Sequence, residues 1–270
     1  MSASLPALLA ALLYFIAGLL IGLRLFAQPD GWRPPRTAGI ATGLAAAALH
    51  AALLWLGAYE DTGLNVAFFS IVSLVAWVVA VLLLVSALTK PVENLGILLL
   101  PLAGIAVLLE LRFPGHRLLP DTAPWGLRAH VLVSLIAYAL LTLASVQAIL
   151  LAIQDRHLHR RQPVGFVRAL PPLQTMESLL FEMIALGFVL LTLALGTGFM
   201  FLEDMFAQHL AHKTLLSVLA WAVFGVLLWG RFRFGWRGRT ALRWTLVGFV
   251  VLMLAYFGSK FVLELLLQRG

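Results

Sequence analysis

Long apolar runs separated by short polar stretches make up almost the whole chain. A helix needs about 20 apolar residues to cross the roughly 30 Å core of a bilayer. Since lipid offers the backbone no hydrogen-bond partners, runs of this kind are predicted to be helices. We predict eight spans, the seventh of them short, at 5–26, 38–59, 66–89, 95–112, 126–154, 178–202, 214–229 and 242–267. The pattern predicts an all-α, polytopic membrane bundle that forms a single transmembrane domain over residues 1–270.

Composition agrees with this fold class and excludes others. Hydrophobic residues make up 62% of the chain and charged residues 11%. The mean hydropathy of +0.99 is far above that of a soluble enzyme. The chain has no cysteine, which excludes disulfides and thiolate ligation of a metal or haem. Because the first run continues into further spans and lacks a convincing cleavage site, we interpret it as a retained helix.

The basic residues indicate how the spans are oriented. Of the 19 Lys and Arg, 13 lie in or beside one set of loops and 6 on the other side. The side richer in Lys and Arg is predicted to be cytoplasmic, so that both termini face the outer, periplasmic side. The net charge of +7 is therefore a topology signal and gives no reason to expect nucleic acid as a partner.

Two histidines lie inside predicted spans. His50 is surrounded by alanines in the second span, about 12 Å from its outer end, and His130 lies about a turn inside the fifth. Polar rings at this depth normally face the interior of a bundle. Two imidazoles from separate helices at similar depth would suit haem iron, so both are candidate haem ligands. The alternative is that each ring hydrogen-bonds a Ser, Thr or carbonyl of a neighbouring helix.

Weaker candidates lie around the sixth span. Gly196 and Gly198 would let a neighbouring helix or a flat ligand approach the backbone, although glycines in membrane helices also serve as packing notches. His209 and His212 are three residues apart and would share a helix face, where they would cap a haem edge or bind a metal. The alternative for this pair is a wet loop that contains two histidines.

The sequence lacks the common motifs for nucleotide binding and for catalysis. The sequence has no P-loop, no dinucleotide fingerprint and no Gly-x-Ser-x-Gly elbow, and we recognise no catalytic residue and no metal site beyond haem iron. Whether the protein is an enzyme stays open, and nothing here requires a bond to be made. An ion transporter would need carboxylates on an intramembrane path, for which Glu182 is the one candidate.

Several short groups of residues in the second half occur in the order and spacing of a known family. They are Gly187–Thr192 with Gly196 and Gly198, His212–Thr214, Ala220–Trp221, Gly235–Arg239, Gly248–Phe249 and Ala255–Gly258, preceded by Trp125 and His130–Val131. With these residues the chain resembles the cytochrome c assembly family of CcsA/CcmC type, and within it the YpjD-like branch, which is also similar to HemX-type proteins.

The resemblance implies a multi-pass protein of the bacterial inner membrane that binds or handles haem. It implies non-covalent, b-type haem as the cofactor, and lipid, haem and other membrane or haem-pathway proteins as partners. His130 corresponds to the first outer histidine of the family. The Trp-rich, haem-presenting loop is replaced by 199–206, which contains no Trp. The alternative is a non-catalytic regulator or accessory subunit that acts through its basic loops at 156–168 and 231–243.

Overall fold

The computed structural model describes residues 4–27, 31–60, 63–115, 118–120, 124–159, 169–201 and 211–258. These ranges contain eight helices that are long and apolar enough to cross a membrane, which confirms the predicted helical, multi-span fold. They are α1 (Ser4–Phe26), α2 (Arg36–Glu60), α3 (Phe68–Thr89), α4 (Gly96–Arg112), α5 (Trp125–His159), α6 (Leu173–Phe201), α7 (Ala211–Phe234) and α8 (Gly238–Met253). Apart from the end of α8, each helix begins and ends within five residues of its predicted span.

The chain divides into two compact units with four membrane helices each. Unit 1 comprises residues 1–121 and 163–171 and contains α1–α4, whereas unit 2 comprises 122–162 and 172–270 and contains α5–α8. A single transmembrane domain over 1–270 stays a prediction. His209, the arginines at 160, 161 and 168, and most of the segment 199–206 lie outside the described residues.

In unit 1, α1 packs against α2 and α4 through small side chains. Ala10, Ala11 and Ala17 are buried on this face, and Gly18 lies next to Pro101 of α4. A Cβ atom at Gly18 would lie 2.8 Å from the proline ring, closer than carbon atoms tolerate. The helices therefore approach each other closely here because Gly18 has no side chain.

Two short strands join the connections at one end of unit 1. Strand β1 (Gly63–Asn65) pairs in antiparallel fashion with β2 (Leu118–Pro120), and Leu64 lies opposite Leu119. The hydrophobic pattern did not predict this ribbon. At the opposite end, Arg36 forms an ion pair with Glu93 at 3.1 Å, which attaches α2 to the 3-10 turn before α4.

In unit 2, α5 and α6 pack along much of their length, and α7 and α8 form a hairpin. Gly187 of α6 faces Leu141 of α5, and Gly248 of α8 faces the ring of Phe224. The helix of α8 continues into a π-helical turn at Leu254–Gly258. Large buried side chains such as Ile184, Phe224 and Leu227 form the core between these helices.

Candidate functional site

His50 is buried in the interior of unit 1, where it bonds to two other helices. Its ring nitrogen Nδ1 lies 3.3 Å from the hydroxyl of Tyr14 on α1, and Nε2 lies 2.9 Å from Oγ of Ser73 on α3. The side chain is only 1% exposed. A neutral imidazole has one donor and one acceptor, so these two partners satisfy both nitrogens. The alternative in which His50 makes interhelical hydrogen bonds is the arrangement that the structure contains.

The polar contacts continue from Ser73 to the fourth helix of the unit. The carboxyl group of Glu110 on α4 hydrogen-bonds to the side chains of Ser73 and Ser70. One set of proton positions uses every group: the Tyr14 hydroxyl donates to Nδ1, Nε2–H donates to Ser73, and Ser73 donates to a Glu110 carboxylate. We call these side chains the four-helix network, since Tyr14, His50, Ser73 and Glu110 come from α1, α2, α3 and α4.

Sequence reasoning missed most of the four-helix network. A single Tyr or Ser in an apolar run does not disturb the hydrophobic pattern, and Glu110 lies so close to Arg112 that it resembles an interfacial residue. One signal was present. Ser70 and Ser73 are one turn apart on α3, and Glu110 lies inside the last turn of an apolar span, where a carboxyl group needs polar partners.

His130 lies near the start of α5 in unit 2 and hydrogen-bonds to α6. Its Nδ1 atom lies 2.9 Å from the carbonyl oxygen of Ala194 and 3.3 Å from Oγ1 of Thr197. The Thr197 hydroxyl donates to carbonyl groups of its own helix, which leaves its oxygen to accept from Nδ1–H. In this tautomer Nε2 carries the lone pair. No residue in the described ranges hydrogen-bonds to Nε2 of His130.

The candidate glycines lie in the turn of α6 to which His130 hydrogen-bonds. Gly196 is exposed, and a Cβ atom added to it would have no neighbour within 4 Å among the described residues, whereas Gly198 is buried. One and two turns before Gly196, Thr192 and Phe188 contact Trp221 of α7. Trp221 donates from Nε1 to Thr192 at 2.9 Å and stacks on Phe188 with ring centroids 5.6 Å apart. Trp221 therefore packs along the stripe formed by Phe188 and Thr192, and the stripe is open at Gly196. This stripe lies on a different side of α6 from Ala194 and Thr197, which bond to His130.

The structure tests the remaining predictions about histidines less fully. His212 is exposed in the first turn of α7, and since His209 lies outside the described residues, the predicted pair stays a prediction. His50 belongs to unit 1 and His130 to unit 2, so the predicted pairing of their rings also stays a prediction. In the described ranges, no three His, Asp or Glu side chains are grouped as they would be around a metal ion.

The basic segment between α7 and α8 packs on a buried carboxylate of α6. Glu177 in the second turn of α6 is 5% exposed. It accepts from Nη1 of Arg231 at 2.9 Å and from Nε of Arg237 at 3.2 Å. The Arg231 guanidinium also covers the ring of Phe181, 4.5 Å from its centre. Two of the arginines predicted to contact a partner therefore hold the connection between α7 and α8 onto α6.

The fold and these sites define a class: a multi-pass α-helical membrane protein with histidine rings held by interhelical hydrogen bonds. Residues 38–267 match the model of the family described as cytochrome C assembly protein. This chain belongs to that family.

Individual relatives agree with the family assignment. The chain is 35% identical over 266 residues to the inner membrane protein YpjD of Escherichia coli K12, a match that covers 96% of this chain and 98% of the relative. It is 28% identical to the cytochrome c biogenesis protein CcsA of Chlamydomonas reinhardtii over 57% of this chain and 43% of that protein. It is 26% identical to the protein HemX of Brevibacillus brevis over 49% of each chain.

Proposed function

We propose that this protein binds and handles haem in the bacterial inner membrane, with His130 as the first iron ligand. The observation that carries the proposal is the hydrogen bond from Nδ1 of His130 to the Ala194 carbonyl. Histidines that ligate metals usually donate the other ring N–H to a carbonyl or carboxylate, which fixes the tautomer and the ring orientation. His130 meets this requirement, because Nδ1–H donates to the Ala194 carbonyl and the lone pair of Nε2 points away from that hydrogen bond.

The open surface beside Gly196 is a weaker part of the proposal. Gly196 directly precedes Thr197, and consecutive residues of a helix point about 100° apart. The stripe that contains Gly196 therefore lies on a different side of α6 from Ala194 and Thr197, which bond to His130. The proposal thus depends on His130, whose Nε2 atom would bind the iron of the haem, and Gly196 and Gly198 stay weaker candidates.

The family supports the same proposal. Relatives that match this chain are named as cytochrome c biogenesis proteins, and cytochrome c assembly requires haem. With the termini on the outer side, as the charge bias predicts, His130 would lie near the outer face. The chain would then bind or move haem without the Trp-rich presenting loop, since residues 199–206 contain no Trp.

His50 stays a proposed second ligand, but iron binding by His50 would require a larger change in the structure than iron binding by His130. Both of its ring nitrogens are already hydrogen-bonded, and the ring is almost completely buried. Ligation through Nε2 would require the bond to Ser73 to break. The proposal therefore makes separate predictions for the two histidines.

The visible spectrum of the purified protein tests the proposal. Protein from haem-replete cells is expected to show a Soret band that is lost or shifted in His130→Gly and partly restored by added imidazole. His157→Gly is the matched control, since His157 also bonds through Nδ1 to a backbone carbonyl, that of Ile153, but lies at the other end of α5. If the wild type has no Soret band, or if His130→Gly leaves the band unchanged, the proposal is wrong. His50→Ala then shows whether the second position is used.

A further inference from the structure

The connection between α7 and α8 presents arginines and aromatic rings on a surface that the haem proposal does not use. Residues 229–244 contain five arginines and no acidic residue. The buried Glu177 neutralises part of this charge by pairing with Arg231 and Arg237. Arg233, Arg239 and Arg243 are exposed, and their side chains make no hydrogen bond or ion pair with the described residues. The segment therefore has a local excess of positive charge.

The same segment is held rigidly. Two nested backbone bonds end α7, from Gly235 N–H to the Arg231 carbonyl and from Trp236 N–H to the Gly230 carbonyl. Gly235 and Gly238 adopt φ values of 66° and 53°, which favour glycine. Trp236 stacks between Phe234 and Trp244, with ring centroids at 6.4 Å and 5.5 Å. The exposed arginines thus start from a preorganised backbone, which reduces the entropy that binding would cost.

Exposed apolar side chains accompany these arginines. Phe232 is 93% exposed, Phe234 is 67% exposed and Trp229 is 65% exposed. They occupy the last turns of an apolar helix, where a membrane span ends. Aromatic residues are favoured at the boundary between lipid and water, and a phosphate group accepts two hydrogen bonds from one guanidinium. Alternating Phe and Arg at a helix end fit one molecule that carries both acyl chains and a phosphate.

We propose that the α7–α8 connection binds an anionic phospholipid, with Arg233, Arg239 and Arg243 contacting its headgroup and Phe232 and Trp229 contacting its acyl chains. Charge complementarity favours an anionic over a zwitterionic lipid, because Glu177 leaves these three arginines uncompensated. The exposure of Phe232 favours lipid over a water-soluble protein partner. This inference is independent of haem, so either proposal can fail without the other.

Native mass spectrometry of the full-length protein with phosphatidylglycerol or phosphatidylcholine tests the inference. The wild type is expected to retain phosphatidylglycerol preferentially. Each arginine near a membrane surface contributes about fivefold in affinity, so the triple variant R233Q/R239Q/R243Q should lose this preference. The control R33Q/K90Q/R156Q removes the same charge from other exposed positions and should retain it. Quenching of tryptophan fluorescence by brominated phosphatidylglycerol should fall in Phe232→Ser.

Three outcomes would overturn the inference. Equal retention of phosphatidylglycerol and phosphatidylcholine by the wild type would mean that the headgroup charge is not recognised. Equal losses in the two triple variants would mean that binding depends on overall charge. If R233Q/R239Q/R243Q keeps its lipid but loses a crosslinked protein in cells, the surface binds a protein partner instead.

Discussion

The Nε2 atom of His50 and the Oγ atom of Ser73 lie 2.9 Å apart, on different helices and away from solvent. Ser73 also bonds to Glu110, so one hydroxyl group joins an imidazole to a carboxyl group. In a membrane interior, polar groups of this kind are costly unless every one of them has a partner. Ser73 therefore determines whether the polar groups of α2 and α4 are both satisfied.

We predict that Ser73→Ala destabilises the protein by about 1–2 kcal/mol. The substitution removes few apolar contacts but leaves Nε2 of His50 and one bond of Glu110 without a partner. Unfolding by SDS in mixed micelles, followed by near-UV circular dichroism, would measure the change in the free energy of unfolding.

Ser145→Ala is the control for this prediction. Ser145 is also buried in a membrane helix, but its hydroxyl donates to the Leu141 carbonyl of its own helix. Its removal leaves no buried group without a partner, so we expect a smaller loss. Equal losses in the two variants would show that the four-helix network adds little to stability.

Hydrophobic pattern was sufficient to predict the eight helices, because each span must satisfy its own backbone in lipid. The partners of a buried polar residue depend on how neighbouring helices are rotated, which the pattern does not encode. The depth of His50 in its span indicated an interior position, but Tyr14 and Ser73 are ordinary residues of apolar runs. Of the four members of the network, only His50 was therefore identified from the sequence as an interior polar residue.

The two strands and the Glu177 cluster were missed for a similar reason. Three-residue strands are too short to show an alternating pattern, and β1 and β2 are far apart in sequence. Arg231 and Arg237 belong to a basic loop that was predicted from the sequence to contact a partner protein. Their partner lies on α6, more than 50 residues earlier, and this pairing depends on tertiary packing.

Alanine substitutions at two glycines of α6 are predicted to have different effects on the stability of the protein. A Cβ atom at Gly187 would lie 2.8 Å from Cδ2 of Leu141 and 2.9 Å from its Cγ, so Gly187→Ala should cost about 1–3 kcal/mol through overpacking. At Gly196 the added atom meets open space, and the gain in helix propensity should make Gly196→Ala neutral or stabilising by up to about 1 kcal/mol.

Thermal unfolding in detergent would compare these two variants. A loss of stability in Gly196→Ala similar to that in Gly187→Ala would show that the surface beside Gly196 is covered. If Gly196→Ala keeps its stability, any change in its haem spectrum can be assigned to the surface itself and not to the fold.

Removal of the charge on Glu177 should loosen the α7–α8 connection. Glu177→Gln leaves Arg231 and Arg237 without their anionic partner, which we expect to cost about 1–2 kcal/mol. The loss stays below that for a fully buried pair because the side chains of the two arginines are 29% and 58% exposed and can be hydrated. Hydrogen exchange measured by mass spectrometry should show faster exchange in the peptide that covers residues 230–240.

Glu182→Gln provides the control on the same helix. Glu182 is exposed, so its substitution should change stability by less than about 0.5 kcal/mol and leave exchange at 230–240 unchanged. Unchanged exchange in Glu177→Gln would mean that the nested backbone bonds hold the connection without the ion pairs.

A substitution at Gly235 is expected to lower stability only through the conformation of the backbone. Its φ value is 66°, and an added Cβ atom would have no neighbour within 4 Å among the described residues. Gly235→Ala should therefore destabilise the protein by about 1 kcal/mol, because an L side chain is disfavoured in the left-handed region. Gly235→Asn should cost less, since Asn adopts this conformation more readily. Thermal unfolding of the two variants would measure the difference, and equal costs for Ala and Asn would contradict a conformational cause.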